Sequence, residues 1–474
     1  MNNKLVFGML GKLLIFEGCL LIPSLVVAFV LKDGCFLSFL LTIAAALVCG
    51  LPLYLSTRNA DKDMFVREGL AIAGLSWLSL SLLGALPLVF SKQCGYIDAF
   101  FEIASGFTTT GATIFTDVSV LPKSIQLYRA FTHWIGGMGV LVLTTAILPG
   151  VGGRLAKAES SGPQFSKLLP KAGDNSKLLY MIYGALTLVL VVVLRICGMN
   201  WFDSLLHAMS TAGTGGFSNK SISIAEFDSV AVEVVTGLFM LLFSLSFALY
   251  FRFLSGEKIK SHETRVFLAI CVISTLIIAI NVTDLYESFL TGLRHAFFQV
   301  TSIVSTTGYS SVDFNTWPTL SKFVLVLLML TGGCAGSTAG GLKLIRVILL
   351  VKLSGREILK SFMPRRVKTI KLDGKSVSEE MLSQIAVFFF VYIMVLFAGA
   401  AVMAIDGCDL TTAFSGSLAC VSNVGPGFGK VGPLESFAFL HPLTKLFLSL
   451  EMIAGRLEFY PLIILCLPQL WRKS

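Results

Sequence analysis

Apolar runs of roughly 18 residues or more recur along the whole of this 474-residue chain, each long enough to cross the ~30 Å hydrocarbon core of a bilayer. Inside lipid every backbone polar group must find its partner within the protein, so spans of this length are helices. With 55% hydrophobic and 14% charged residues, no soluble domain is left over. The expected fold is an all-α polytopic membrane protein. The first run, residues 5–31, lacks a small-residue cleavage site and leads straight into a second apolar run, so it reads as a retained helix.

The net charge of +9 sits in short segments between spans, not on one soluble face, which argues against nucleic acid. These segments carry Arg58, Lys62 and Arg67; Arg154, Lys157, Lys167 and Lys171; Arg252, Lys258, Lys260 and Arg265; and Arg356, Lys360, Arg365, Arg366, Lys368 and Lys371. By the positive-inside rule they are cytoplasmic, and with two helices before Arg58 so is the amino terminus. Ten cysteines without a CxxC pair imply neither disulfides nor zinc, and five histidines without an HExxH pattern offer no catalytic metal site. No enzyme chemistry and no cofactor of this chain is expected.

Four short segments resemble one another: SGFTTTGATIF (residues 105–115), AMSTAGTGGFS (208–218), SIVSTTGYSSV (302–312) and ACVSNVGPGFG (419–429). Aligning Gly111, Gly213, Gly308 and Gly425 places the copies 102, 95 and 117 residues apart. In that register the residue eleven before the glycine is Phe100, Phe202, Phe297 or Phe414, and the residue three before is Thr108, Ser210, Ser305 or Ser422. Each glycine lies between two long apolar segments, after room for a helix of about ten residues, too short to cross. The unit therefore reads as span, re-entrant half-helix, extended glycine segment, span. The division is 1–63 for two extra amino-terminal helices, then four repeats over 64–155, 156–260, 261–378 and 379–474.

Non-helical backbone at membrane depth is tolerated where protein buries it or an aqueous path runs beside it, and four copies around one axis satisfy that together. Glycine reaches positive φ, carbonyl rings replace the hydration shell of a cation, and the half-helices aim their negative ends at the centre. The plainer alternative, small-residue helix packing, accounts for one cluster but not for four in one register.

At these residues the chain resembles the Trk/Ktr/HKT superfamily of potassium transporters, and within it the bacterial Trk membrane subunit. The likeness spans the chain, including the polar stretch at residues 156–177, GGCAGSTAGGLKLIR (332–346) and GRLEFYP (455–461). It implies a pseudo-tetrameric potassium pore in the bacterial cytoplasmic (inner) membrane, a homodimer, and a cytosolic nucleotide-binding (TrkA-like, NAD/ATP-responsive) regulatory ring. Potassium is then the transported ion. Carried over by position, the filter comprises Thr109, Thr110, Gly111 and Ala112; Thr211, Ala212, Gly213 and Thr214; Thr306, Thr307, Gly308 and Tyr309; and Asn423, Val424, Gly425 and Pro426. Glycine in all four repeats goes with potassium preference in the family, whereas Val424 and Pro426 break the four-fold pattern.

The third repeat's second span is interrupted by five glycines in ten residues, 332–341, a run that its three counterparts lack. One broken helix among four suits a gate: Gly332, Gly333, Gly336, Ser337, Thr338, Gly340 and Gly341, with Arg456 as nearest charge. An intramembrane arginine is costly and so a functional candidate, the bland alternative being a pair with Glu458 or Glu451. Lys343 and Arg346 are expected either to mark the cytoplasmic end of that span or to meet the regulatory partner. GFGKVG (427–432) fits a dinucleotide pattern but follows no strand, and GSTAGGLK (336–343) lacks a phosphate-loop Lys-Ser/Thr. A carrier using the broken helix as a solute site is the competing class.

Overall fold

The computed structural model describes residues 2–57, 66–139, 172–256, 261–365 and 369–467. Among them six helices are long and apolar enough to cross a membrane, or seven if a bent pair counts as one. Much of the polar stretch at 156–177 lies outside the described residues.

Helices Asn3–Leu20, Ile22–Leu31 and Phe36–Ser56 precede the first unit. Helices Asn3–Leu20 and Phe36–Ser56 approach so closely at Gly11 and Gly50 that a Cβ on either would meet the other helix's backbone. After them a long helix, a short helix and a second helix recur: Val66–Gly84 (continued by Leu86–Phe90), Tyr96–Phe107 and Lys123–Gly137; then Ala172–Ile196, Trp201–Ala212 and Val230–Ser244. The series continues with His262–Asn281, Phe289–Val304 and Thr319–Thr331, and ends with Glu379–Ile405, Leu410–Val421 and Pro442–Arg456. Many starts are written locally: the side chains of Asn200, Ser229, Ser261, Ser288, Ser378 and Asp409 each accept a first-turn N–H, and Pro442 occupies a first helical position. The long helices turn Val48, Val192, Ile280 and Phe390 outward, all more than 45% exposed, a surface suited to lipid.

The expectation of one broken second helix fails. All four second helices stop after only 13 to 15 residues: at Gly137, Ser244, Thr331 and Arg456. The second turns by 90° into Phe247–Leu254, and the fourth resumes as Tyr460–Leu465 after positive φ at Glu458 and Phe459. What sets the third apart is the length of its interruption, from Gly332 to the helix Leu344–Phe362. Breaks at Leu245 and Leu457 carry no glycine, so composition does not announce them.

A small antiparallel hairpin, Lys371–Leu372 with Lys375–Ser376, turns through Asp373 and Gly374, both at positive φ, as an Asp-Gly hairpin turn requires. Ile370 and Leu372 pack there against Ile345, Leu349, Leu382 and Ile385.

Candidate functional site

Each short helix runs directly into an extended segment with two left-handed residues. These are Thr109 and Gly111, Thr214 and Gly216, Thr306 and Gly308, and Asn423 and Gly425, with φ between 53° and 97°. The hydrogen bonds leading in are the same each time: Thr109 N–H donates to Gly106 O, Thr214 to Thr211 O, Thr306 to Ile303 O and Asn423 to Cys420 O. β-Branched threonine at positive φ is a genuine outlier, of order 1–3 kcal/mol. Its presence in three of the four segments shows that the surroundings impose the shape.

This geometry corrects the sequence register in the second unit by three residues. Gly216, not Gly213, matches Gly111, Gly308 and Gly425. Thr211 and Ala212 belong to the last helical turn and Gly213 caps it in the right-handed region (φ −70°), where Thr108, Ser305 and Ser422 stand in the other units. The extended residues are Thr214, Gly215, Gly216 and Phe217. STAGTGGFS holds three glycines, and the hydroxyl matches at Ser210 and Thr211 favoured the first of them. The better signal was Gly216-Phe217-Ser218 beside Gly308-Tyr309-Ser310.

The four segments close on one another. A Cβ added at Gly111 would collide with the carbonyl oxygen of Gly215, one at Gly216 with Thr307 O, one at Gly308 with Val424 O, and one at Gly425 with Thr110 O. Each glycine thus abuts the carbonyl just before the next unit's glycine, and the fourth returns to the first. Positive φ and backbone contact exclude side chains at these positions together. Ala112 and Tyr309 follow the glycines as buried residues, and Pro426 Cδ lies 2.7 Å from where Gly308 would carry a Cβ. The Asn423 amide donates to Thr110 Oγ1 at 2.9 Å, tying the fourth segment to the first.

Behind the ring each unit is braced between the residues nine before and two after its glycine. Glu102 accepts from Thr113 and His207 Nε2 meets Ser218 Oγ at 2.9 Å, while Gln299 donates to Ser310 Oγ at 3.4 Å. In the fourth unit both places are glycine, 416 and 427, and Ser415 Oγ accepts from Phe428 N–H at 2.8 Å instead. These braces match only in the corrected register.

The glycine-rich loop lies against the ring. Gly340 N–H donates to Thr306 Oγ1 at 2.6 Å, and Gly340 packs on Ser422 and Asn423. Gly332, Gly336 and Gly341 take positive φ, Gly332 and Gly341 pack backbone to backbone, and a Cβ on Gly333 would meet Ala339 and Ser244. Ser337 Oγ donates back to Cys334 O, and Lys343 donates to Ala339 O.

The broken helices leave carbonyls that water cannot reach, and the loop with its arginine answers them. Phe243 O accepts from Thr338 Oγ1 at 3.1 Å and Ser244 O from Cys334 N–H at 3.0 Å, while Leu242 O accepts from Tyr250 Oη at 2.6 Å. Arg456 donates to Gly136 O (2.7 Å) and Gly137 O (3.0 Å), at the end of Lys123–Gly137, and to Thr338 O (2.8 Å) in the loop. A cation at a helix carboxyl terminus is electrostatically favoured. Arg456 so links a first-unit helix, the third-unit loop and its own fourth-unit helix.

The neighbouring carboxylates have their own partners. Glu458 accepts from Arg346 at 2.7 Å, and Glu451 from Ser417 at 2.6 Å. Arg346, expected near the cytoplasmic end, is buried, its guanidinium 4.2 Å from the centre of the Phe388 ring. At the opposite, looped side Asp117 accepts from Ser119 and from Ser221, hydrogen bonds that hold its carboxyl below the usual range.

The whole chain has relatives of the same architecture. A family model described as TrkH, cation transport protein, matches residues 37–473. The Trk system potassium uptake protein TrkH of Halomonas elongata is 37% identical over 486 aligned positions, and that of Escherichia coli K12 36% over 488, each alignment covering all of both chains. The crystal structure of the potassium transporter TrkH from Vibrio parahaemolyticus superposes with a TM-score of 0.90 at 33% identity, again over the full length of both. This chain belongs to the TrkH family of cation transport proteins.

Proposed function

We propose that this protein carries potassium across the bacterial cytoplasmic membrane through the closed ring of four extended segments. The observation that carries the reading is the cyclic order of the contacts at Gly111, Gly216, Gly308 and Gly425, each glycine against the carbonyl before the next. Four backbone carbonyls at one level would take the place of a cation's water, and the four short helices end on the ring with their negative poles. The filter is assigned to residues 109–112, 214–217, 306–309 and 423–426. The loop at 332–341 is the gate, seated on Thr306 and held by Arg456. Its release is assigned to a cytosolic nucleotide-binding ring beneath a homodimer, with the amino terminus cytoplasmic. Relatives named as potassium uptake proteins support the choice of ion.

The test is purified protein in proteoliposomes under crossed potassium, sodium and proton gradients. A reversal potential that follows the potassium gradient is expected. Absence of cation flux, together with failure to restore growth of a potassium-uptake-deficient strain, would refute it.

A further inference from the structure

The brace behind the first segment is a buried ion pair. Glu102, wholly buried, accepts from Arg129 Nε at 2.7 Å, from Ile114 N–H at 2.9 Å and from Thr113 Oγ1. Arg129, 2% exposed, also reaches the next unit. It donates to Ser218 O at 3.3 Å, and its guanidinium carbon lies 4.0 Å from the centre of the Phe217 ring. One helical turn on, His133 places its ring 4.0 Å from the same Phe217, and Gly215 packs directly on that imidazole. Phe217 and Ser218 are the two residues after Gly216. Two side chains of the first unit's second helix thus grip the second segment just beyond its glycine.

We propose that Arg129, anchored by Glu102, is a positioning residue that sets the approach of the first two segments and thereby the discrimination between potassium and sodium. The inference rests on the reading of the ring as the filter. The pair adds almost no net charge beside the ring, so it does not oppose a cation, and the planar fork fixes three directions at once: to Glu102, to Ser218 O and over Phe217. Lysine keeps the charge but has neither the fork nor the flat face. The other units brace themselves with neutral groups internal to the unit, whereas this one crosses a boundary. It is placed to control how segments 1 and 2 sit relative to each other, and coordination by carbonyls depends on that spacing.

The experiment compares the parent chain with R129K, R129Q and E102Q in proteoliposomes. It reads the potassium-to-sodium permeability ratio from reversal potentials and, in detergent, the thermal midpoint with potassium against sodium. R129K is expected to fold, to conduct, and to lower the permeability ratio at least fivefold, with a smaller difference between the two ions' thermal midpoints. R129Q and E102Q should lower the ratio too, and E102Q, which strands a cation near the ring, should also reduce flux. A folded R129K whose ratio stays within twofold of the parent's would overturn the proposal. So would failure of all three to fold, which would make the pair a brace of the fold alone. Lack of discrimination in the parent would instead overturn the filter reading.

Discussion

Substituting Gly340 by alanine probes the seat of the loop with one methyl group. Its φ is not left-handed, so alanine meets no backbone strain there. The obstacle is space: the new Cβ would press into Ser422 O and lie 3.1 Å from Asn423 Cβ. Because Ser422 caps a helix that is buried throughout its length, the loop must move instead, and Gly340 N–H then leaves Thr306 Oγ1. Overpacking a buried site costs ~1–3 kcal/mol and a lost buried hydrogen bond ~0.5–1.5 kcal/mol. The seated state is disfavoured by ~1.5–4.5 kcal/mol, and at 1.4 kcal/mol per factor of ten the closed-to-open ratio falls by about 10- to 1000-fold. The assay is potassium or rubidium efflux from proteoliposomes containing this protein alone, per reconstituted molecule. Gly355→Ala is the control, since nothing lies within 4 Å of a Cβ added there, midway along helix Leu344–Phe362. Efflux raised at least tenfold by Gly340→Ala and unchanged by Gly355→Ala is the expected result. A folded Gly340→Ala protein with parental efflux would refute the assignment of the loop as the barrier.

Further substitutions test the other parts of the site. Arg456→Ala removes the charge-assisted bond to Thr338 O, worth ~1.5–3 kcal/mol, and should raise unliganded efflux about 10-fold or more; a change in yield with parental flux per molecule would mark Arg456 as structural only. Gly216→Ala should abolish potassium-selective flux, because a side chain there collides with Thr307 O at positive φ. Thr211→Ala should leave the permeability ratio within twofold, since its hydroxyl donates to His207 O inside a helix; the reverse result would restore the Gly213 register. Glu458→Gln strands the buried Arg346, for which ~3–5 kcal/mol is typical, reduced here because Glu458 is 18% exposed; a drop of several degrees in the thermal midpoint is expected in detergent.

The amino-acid sequence alone determined the membrane class and the four-fold recurrence, since apolar length and glycine among hydroxyl residues are local properties. It also announced the loop at 332–341, because five glycines in ten residues are incompatible with a plain span. It misplaced the second segment: three glycines within four residues, Gly213 to Gly216, fit equally well by composition. Only the hydrogen bonds of the preceding helix and the collision with Thr307 O single out Gly216. It also missed that all four second helices end at the ring, because the breaks after Ser244 and Arg456 have no glycine to mark them. Those breaks are stable for a tertiary reason. The free carbonyls of Gly136, Gly137, Phe243 and Ser244 are answered by Arg456, Thr338 and Cys334, which are distant in the chain. Which groups a buried helix end meets depends on the packing of four units around one centre.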